Sequence, residues 1–328
     1  MKRILIIFVV LSLLAGGGVL LTLNRPYQGF QNEQFIEFTK GTGTMEMARR
    51  LADAGVIPTR WHLLAARAMR PNQVWQAGEY RFHKAATAWE VADRLRRGDV
   101  YLVEFRIPEG FNLYDIATVV EQHGFAKAPE FIRAAKNPAL IRDLAPQAPS
   151  LEGFLFPSTY MVPRKTSAEA LCRLLTDQFR KEWKTAGGGT ADVLPTVTLA
   201  SLVEKETGAP EERPVVAAVY RNRLDQRMRL EADPTTIYAA MLEGVWRGTI
   251  FKSDLQREHP YNTYAVTGLP PGPIANPGRA SLAAALHPAA TEFLYFVAKG
   301  DGTGRHNFSK TYAEHSRAVV AWRRGRRT

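Results

Sequence analysis

The chain has 328 residues, 43 Lys+Arg against 32 Asp+Glu and a formal charge of +11, with 45% hydrophobic and 23% charged residues. Those proportions are globular and exclude a disordered, collagenous or coiled-coil chain, and the length suggests roughly two folding units. Cys172 is the only cysteine, which excludes an intramolecular disulfide framework and a cysteine-rich metal site. The run Ile4–Leu23 carries no charge, and at 1.5 Å per residue it is about 30 Å long, the hydrocarbon thickness of a bilayer. Lys2 and Arg3 precede it, which keeps residues 1–3 cytoplasmic and sends the remainder outside. A cleaved signal peptide with an apolar core at Ile4–Leu14 is the competing reading. The continuation through Val19–Leu23 and the lack of an A-x-A site favour an uncleaved anchor over 4–23. Residues 24–34 read as a polar linker.

From Phe35 the pattern is strand, turn, helix. Phe35, Ile36 and Phe38 lead into a Gly41–Gly43 turn. Met47, Ala48 and Leu51 then recur at helical spacing up to Gly55. A second helix through Trp61, Leu64 and Ala68 stops before Pro71. Glu79–Phe82 alternates like a short strand, and Ala88–Leu95 makes a helix ended by Gly98. Gly41, Ala48, Leu51 and Gly55 align with Gly110, Ala117, Val120 and Gly124, which suggests two tandem α/β units, 35–100 and 101–145. Ala145–Pro149 reads as a linker. Beyond it, residues 150–328 form a mixed α+β domain: an amphipathic helix over Ser167–Trp183, further helices, and a final hairpin. That hairpin pairs Leu294–Val297 with His306–Phe308 around Gly300, Gly302 and Gly304.

The chemistry is concentrated in Thr196–Leu224. Leu199, Leu202 and Val203 define an apolar helical face, and Glu206 continues it at i+7. Glu204 lies about 200° away around the axis and points elsewhere. A carboxylate that continues an apolar stripe is either paired, with Arg213, Arg221 or Arg223 as the available cations, or functional. Burial raises a Glu pKa, and a Glu that stays neutral can act as a general acid. The seven histidines form no H-E-x-x-H pattern and no phosphate-loop motif occurs, so no metal and no organic cofactor is indicated. The basic balance lacks an interleaved basic–aromatic motif and belongs to a chain read as extracytoplasmic. Anionic envelope polymers therefore fit better than nucleic acid.

The run Ala200-Ser201-Leu202-Val203-Glu204-Lys205-Glu206-Thr207 resembles the signature of the MltG-type (YceG-like) endolytic murein transglycosylases. Asn222-Arg223-Leu224, Asp233-Pro234-Thr235, Tyr261-Asn262-Thr263-Tyr264, Thr267–Ile274 and Asn276-Pro277-Gly278 extend the likeness. Glu109-Gly110 and Glu152-Gly153-Phe154 upstream and His306–Ser309 downstream fit as well. The resemblance implies a single-pass enzyme of the bacterial inner membrane, LysM-like toward its N-terminus, that cleaves peptidoglycan glycan strands internally. It implies that Glu206 is the catalytic acid and then base, and a working link to peptidoglycan synthases. Asn262, Tyr264, Asp233 and Glu204 are then expected around the sugars. Asp233 has an alternative reading as a helix cap, and Tyr264 as a core residue. Two alternatives to this activity are a membrane-tethered peptidoglycan-binding scaffold without catalysis and a muramidase-type hydrolase. The hydrolase needs a second carboxylate, for which Asp233 and Glu152 are the candidates.

Overall fold

The computed structural model describes residues 17–189 and 191–325. Most of the expected membrane anchor, residues 4–16, lies outside them. Residues 17–24 are helical, and no helix among the described residues is long and apolar enough to cross a membrane. The described chain is a mixed α+β protein with three two-stranded sheets and predominantly helical packing.

The chain divides into two compact units. The first comprises residues up to Val103 plus Met161–Arg164, and the second Glu104–Tyr160 plus Lys165 onward. In the first unit β1 (Gln34–Phe38) pairs antiparallel with β2 (Gly78–Phe82), with Ile36 opposite Tyr80. Ile36, Phe38, Tyr80 and Phe82 fall on the buried face, as the two-residue strand period requires. Against it lie α1 (Thr44–Asp53), α2 (Arg60–Ala68) and α3 (Ala88–Arg97), which bury Met47, Leu51, Leu63, Val91 and Leu95. Leu23 is fully buried in the same core. The limits of α3 are local: Thr87 and Glu90 form a capping box, and Gly98 takes the left-handed conformation (φ 69°) that ends a helix cheaply.

The chain passes between the units within the paired strands β3 (Leu102–Arg106) and β4 (Thr159–Pro163). The second unit therefore takes in most of the expected tandem segment 101–145, including α4 (Leu113–Gln122) and α5 (Ala128–Ala135). Ala145–Pro149 is not a separating linker either. Ala145 and Ala148 are buried, and their amides bond Ile141 O and Ala145 O in a tight turn. Proline and small residues serve a packed turn as well as a linker, so composition did not distinguish the two.

The remaining helices are α6 (Ala168–Thr185), α7 (Val193–Glu206), α8 (Arg213–Asp225), α9 (Asp233–Leu242), the short α10 (Lys252–Leu255), α11 (Arg279–Leu286) and α12 (Tyr312–Gly325). α7 is central: every residue from Thr196 to Val203 is buried, and the helix packs on α8, α9 and α11. It is apolar all round rather than amphipathic, as a helix enclosed on every side must be. The hairpin of β5 (Tyr295–Ala298) and β6 (His306–Ser309) packs with α12, and β5 also packs with α8. Gly300, Gly302 and Gly304 in its turn all have positive φ, between 70° and 79°.

Candidate active site

The three residues Glu204, Lys205 and Glu206 at the end of α7 diverge in three directions. Glu204 is turned to the start of α11, where its carboxylate accepts the Gly278 amide (3.0 Å) and faces Arg213 (3.5 Å). That is a favourable place for a negative charge, because helix N-termini present unpaired amides. Lys205 donates to the Gly110 carbonyl (3.2 Å). Glu206 lines a cavity of about 300 Å³ together with Arg223 of α8, Leu230 and Glu231, Asp233 of α9, Tyr264, Phe296–Ala298 of β5, His306 of β6 and His315 of α12.

Burial pushes the Glu206 carboxyl up to about 7. The neighbouring Tyr220 hydroxyl pulls against this, and the Asp233 charge adds to it. No ion pair to Glu206 exists among the described residues. Of the cations that could have claimed it, Arg213 faces Glu204 and Glu109, and Arg223 pairs with Glu231 (3.3 Å). Arg223 is further fixed by donating to the carbonyls of Leu294 (2.6 Å), Arg229 (3.1 Å) and Leu230 (3.0 Å). A carboxyl in this setting holds a proton near neutral pH and can release it to a bound oxygen.

Asp233 is exposed to the cavity and accepts the Tyr264 hydroxyl at 2.7 Å. Burial first, and then this bond to a carboxylate, raise the Tyr264 hydroxyl far above its ordinary value, so it stays a donor. Glu231, also on the cavity wall, holds a left-handed backbone (φ 51°) that a non-glycine residue adopts only under tertiary constraint. His315 stacks on Tyr295 (centroids 5.3 Å), and burial together with the Arg223 charge keeps its imidazole below the usual value. His306 is held by Glu212 (2.8 Å).

Of the residues expected around the sugars, Glu206, Asp233 and Tyr264 come together at this cavity, while Asn262 and Glu204 do not line it. Asn262 is fully buried. Its amide donates to the carbonyls of Asp254, Leu255 and Arg257, and its oxygen accepts from Thr236 Oγ1 and the Tyr264 amide. It thus shapes the loop that carries Tyr264. Glu152 is buried away from the cavity. The proline loop Gly268–Pro273 leads onto α7, where the Ile274 amide is bonded to Ser201 Oγ (3.1 Å). Arg223, Phe296, His306 and His315 were not singled out as site residues. They come from four elements, α8, β5, β6 and α12, and the motifs Asn222–Leu224 and His306–Ser309 had marked Arg223 and His306.

The YceG-like family model matches residues 36–321. The endolytic murein transglycosylase of Bacillus subtilis (strain 168) is 33% identical over 267 residues, 74% of this chain and 72% of that protein. The endolytic murein transglycosylase of Streptococcus pneumoniae is 26% identical over 87% of this chain, which spans only 57% of the streptococcal protein. The solved structure of a YceG-like protein from Listeria monocytogenes matches with a TM-score of 0.56 at 28% identity, over 88% of this chain and 99% of that one. With a single family model running through both compact units, the chain belongs to the YceG-like family.

Proposed function

We propose that this chain is a lytic murein transglycosylase that cleaves the β-1,4 bond between N-acetylmuramic acid and N-acetylglucosamine within peptidoglycan strands. Glu206 donates its proton to the glycosidic oxygen as the bond to the muramic acid C1 breaks. The C6 hydroxyl of the same sugar attacks C1 and returns its proton to Glu206. The product is a 1,6-anhydro sugar, no water is consumed, and the acid is regenerated. Acid–base assistance of this kind contributes about 10²–10⁴-fold. The observation that carries the reading is a single unpaired, largely enclosed carboxyl held near neutrality on the wall of a polar cavity. Tyr264 and Asp233 contact the sugars, and Asn262 acts through the backbone of Tyr264.

A hydrolase with a water nucleophile is the second reading. The Asp233 carboxylate in the same cavity favours it, because a base is what a water nucleophile needs. Mass spectrometry of the products separates the two. Uncrosslinked glycan strands are incubated with the full chain and with its Glu206→Gln variant. Anhydro ends from wild type alone support the transglycosylase; reducing ends carrying one added water move the answer to a hydrolase. Silence from both proteins would leave the binding scaffold.

The uncharged run 4–23 behind Lys2 and Arg3 supports a single-pass inner-membrane anchor with the bulk of the chain periplasmic, close to peptidoglycan synthases. The β1–α1–α2–β2 order of the first unit supports a LysM-like module. Protease accessibility in spheroplasts tests the topology: degradation of the bulk of the chain from outside is expected, and full protection would reverse the orientation.

A further inference from the structure

The Tyr220 hydroxyl is a buried polar group beside the candidate acid. Tyr220 sits on α8 and is 1% exposed, and its ring packs edge-on against Phe296 of β5 (centroids 5.9 Å, interplanar angle 86°). Its hydroxyl is sealed from solvent and, among the described residues, makes no hydrogen bond of standard geometry, yet it lies against the Glu206 carboxyl. Buried hydroxyls are nearly always bonded, and an exception needs a reason. Phenylalanine would fill the same space without leaving an unsatisfied donor, so packing alone does not explain a tyrosine here.

We propose that Tyr220 is a positioning residue for Glu206: its hydroxyl holds the carboxyl toward the cavity and donates to the carboxylate that forms when Glu206 gives up its proton. The inference rests on Glu206 being the general acid. The resting enzyme then keeps one hydrogen bond in reserve for the ionised state, which lies on the path to the transition state. A hydrogen bond to the charged form of an acid favours that form, so Tyr220 opposes the effect of burial and keeps Glu206 acidic enough to transfer its proton. The other charged and titratable groups facing Glu206 are Asp233 of α9, Arg223 of α8, Glu231 and Tyr264 on their loops, His306 of β6 and His315 of α12. Asp233 acts in the opposite sense to Tyr220, since its negative charge disfavours a second one.

The test uses the full chain with glutamate labelled at the side-chain carboxyl by ¹³C. The Glu206 resonance is identified by its loss in Glu206→Gln and followed through a pH titration. In Tyr220→Phe the resonance is expected to titrate about one unit higher than in wild type, the effect of one hydrogen bond to a charged group. The alkaline limb of kcat shifts up with it while KM stays put, because Tyr220 is too buried to touch substrate. Asp233→Asn moves the resonance the other way. An unchanged titration in Tyr220→Phe overturns the inference, as does a change confined to melting temperature or KM. A wild type that yields no product overturns the proposed activity instead, and the titration still decides the role of Tyr220.

Discussion

Glu152 offers the sharpest test of the energetics. It is 1% exposed, at the meeting of the α4 start, α9 and the loop before α11. Its carboxyl accepts the Leu113 amide (2.9 Å), the Tyr238 hydroxyl (2.9 Å) and the Asn276 amide (2.8 Å). Burial pushes it up to about 8 from 4.5, against the pull of the Leu113 amide and the Tyr238 hydroxyl. The folded value exceeds the unfolded one, so the folded protein binds this proton more tightly. The resulting stability is fully present below pH 4.5 and is lost as pH rises through about 8. The window spans about 3.5 units at ~1.36 kcal/mol each, so the group accounts for on the order of 3–5 kcal/mol across it. For a body of this size that is roughly 10 °C in melting temperature.

The assay is a melting series from pH 5 to 9 on wild type and Glu152→Gln. Glutamine keeps the volume, stands in for the protonated acid and does not titrate. At pH 5 the variant is expected to lie within ~2 kcal/mol of wild type, the scale of one disturbed hydrogen bond. Toward pH 9 the gap closes or reverses, as only wild type loses stability at this position. Parallel curves would show that Glu152 is already ionised in the folded protein and that its three donors outweigh burial.

Three further outcomes follow from the site and its supports. Transglycosylase activity should decline as pH rises through about 7, because the proton needed for the first step leaves Glu206 there; a pH–kcat profile flat to pH 9 would rule that residue out as the acid. Asn262→Ala should lower the melting temperature, by an amount matching ~2–4 kcal/mol, since three carbonyls, one buried and two part-buried, lose their donor; a stable variant with raised KM would instead make Asn262 a substrate contact. Gly153→Ala should destabilise by more than ~1 kcal/mol, because Gly153 has φ +87° and an added Cβ would lie 2.4 Å from Pro273 Cγ; unchanged melting would show that the proline loop yields freely.

Local chemistry was readable where a feature depends on neighbours along the chain. Gly98 ends α3 in a left-handed conformation that only its own turn requires, and the glycine-rich turn of the last hairpin needs only its own backbone freedom. Glu206 was readable as well. Whether an arginine pairs with it was open while Arg213, Arg221 and Arg223 were all available, and which acid Arg213 and Arg223 meet depends on how α7 packs on α8 and how the chain turns after α8.

The direction of Asn262 was beyond the sequence, since an amide that can hold a sugar can equally hold three carbonyls, and only the fold of the 251–264 segment selects between them. The domain boundary was hidden for a related reason: Ala145–Pro149 has a linker's composition, but burial of Ala145 and Ala148 depends on what packs above them. What could be read from the chain alone was therefore the family, the class of reaction and Glu206 as the candidate acid, because a motif keeps residue types at fixed spacing. The cavity around that acid was not, because Arg223, Asp233, Tyr264, Phe296, His306 and His315 approach Glu206 through helix and hairpin packing, a property of surfaces in contact that linear spacing does not encode.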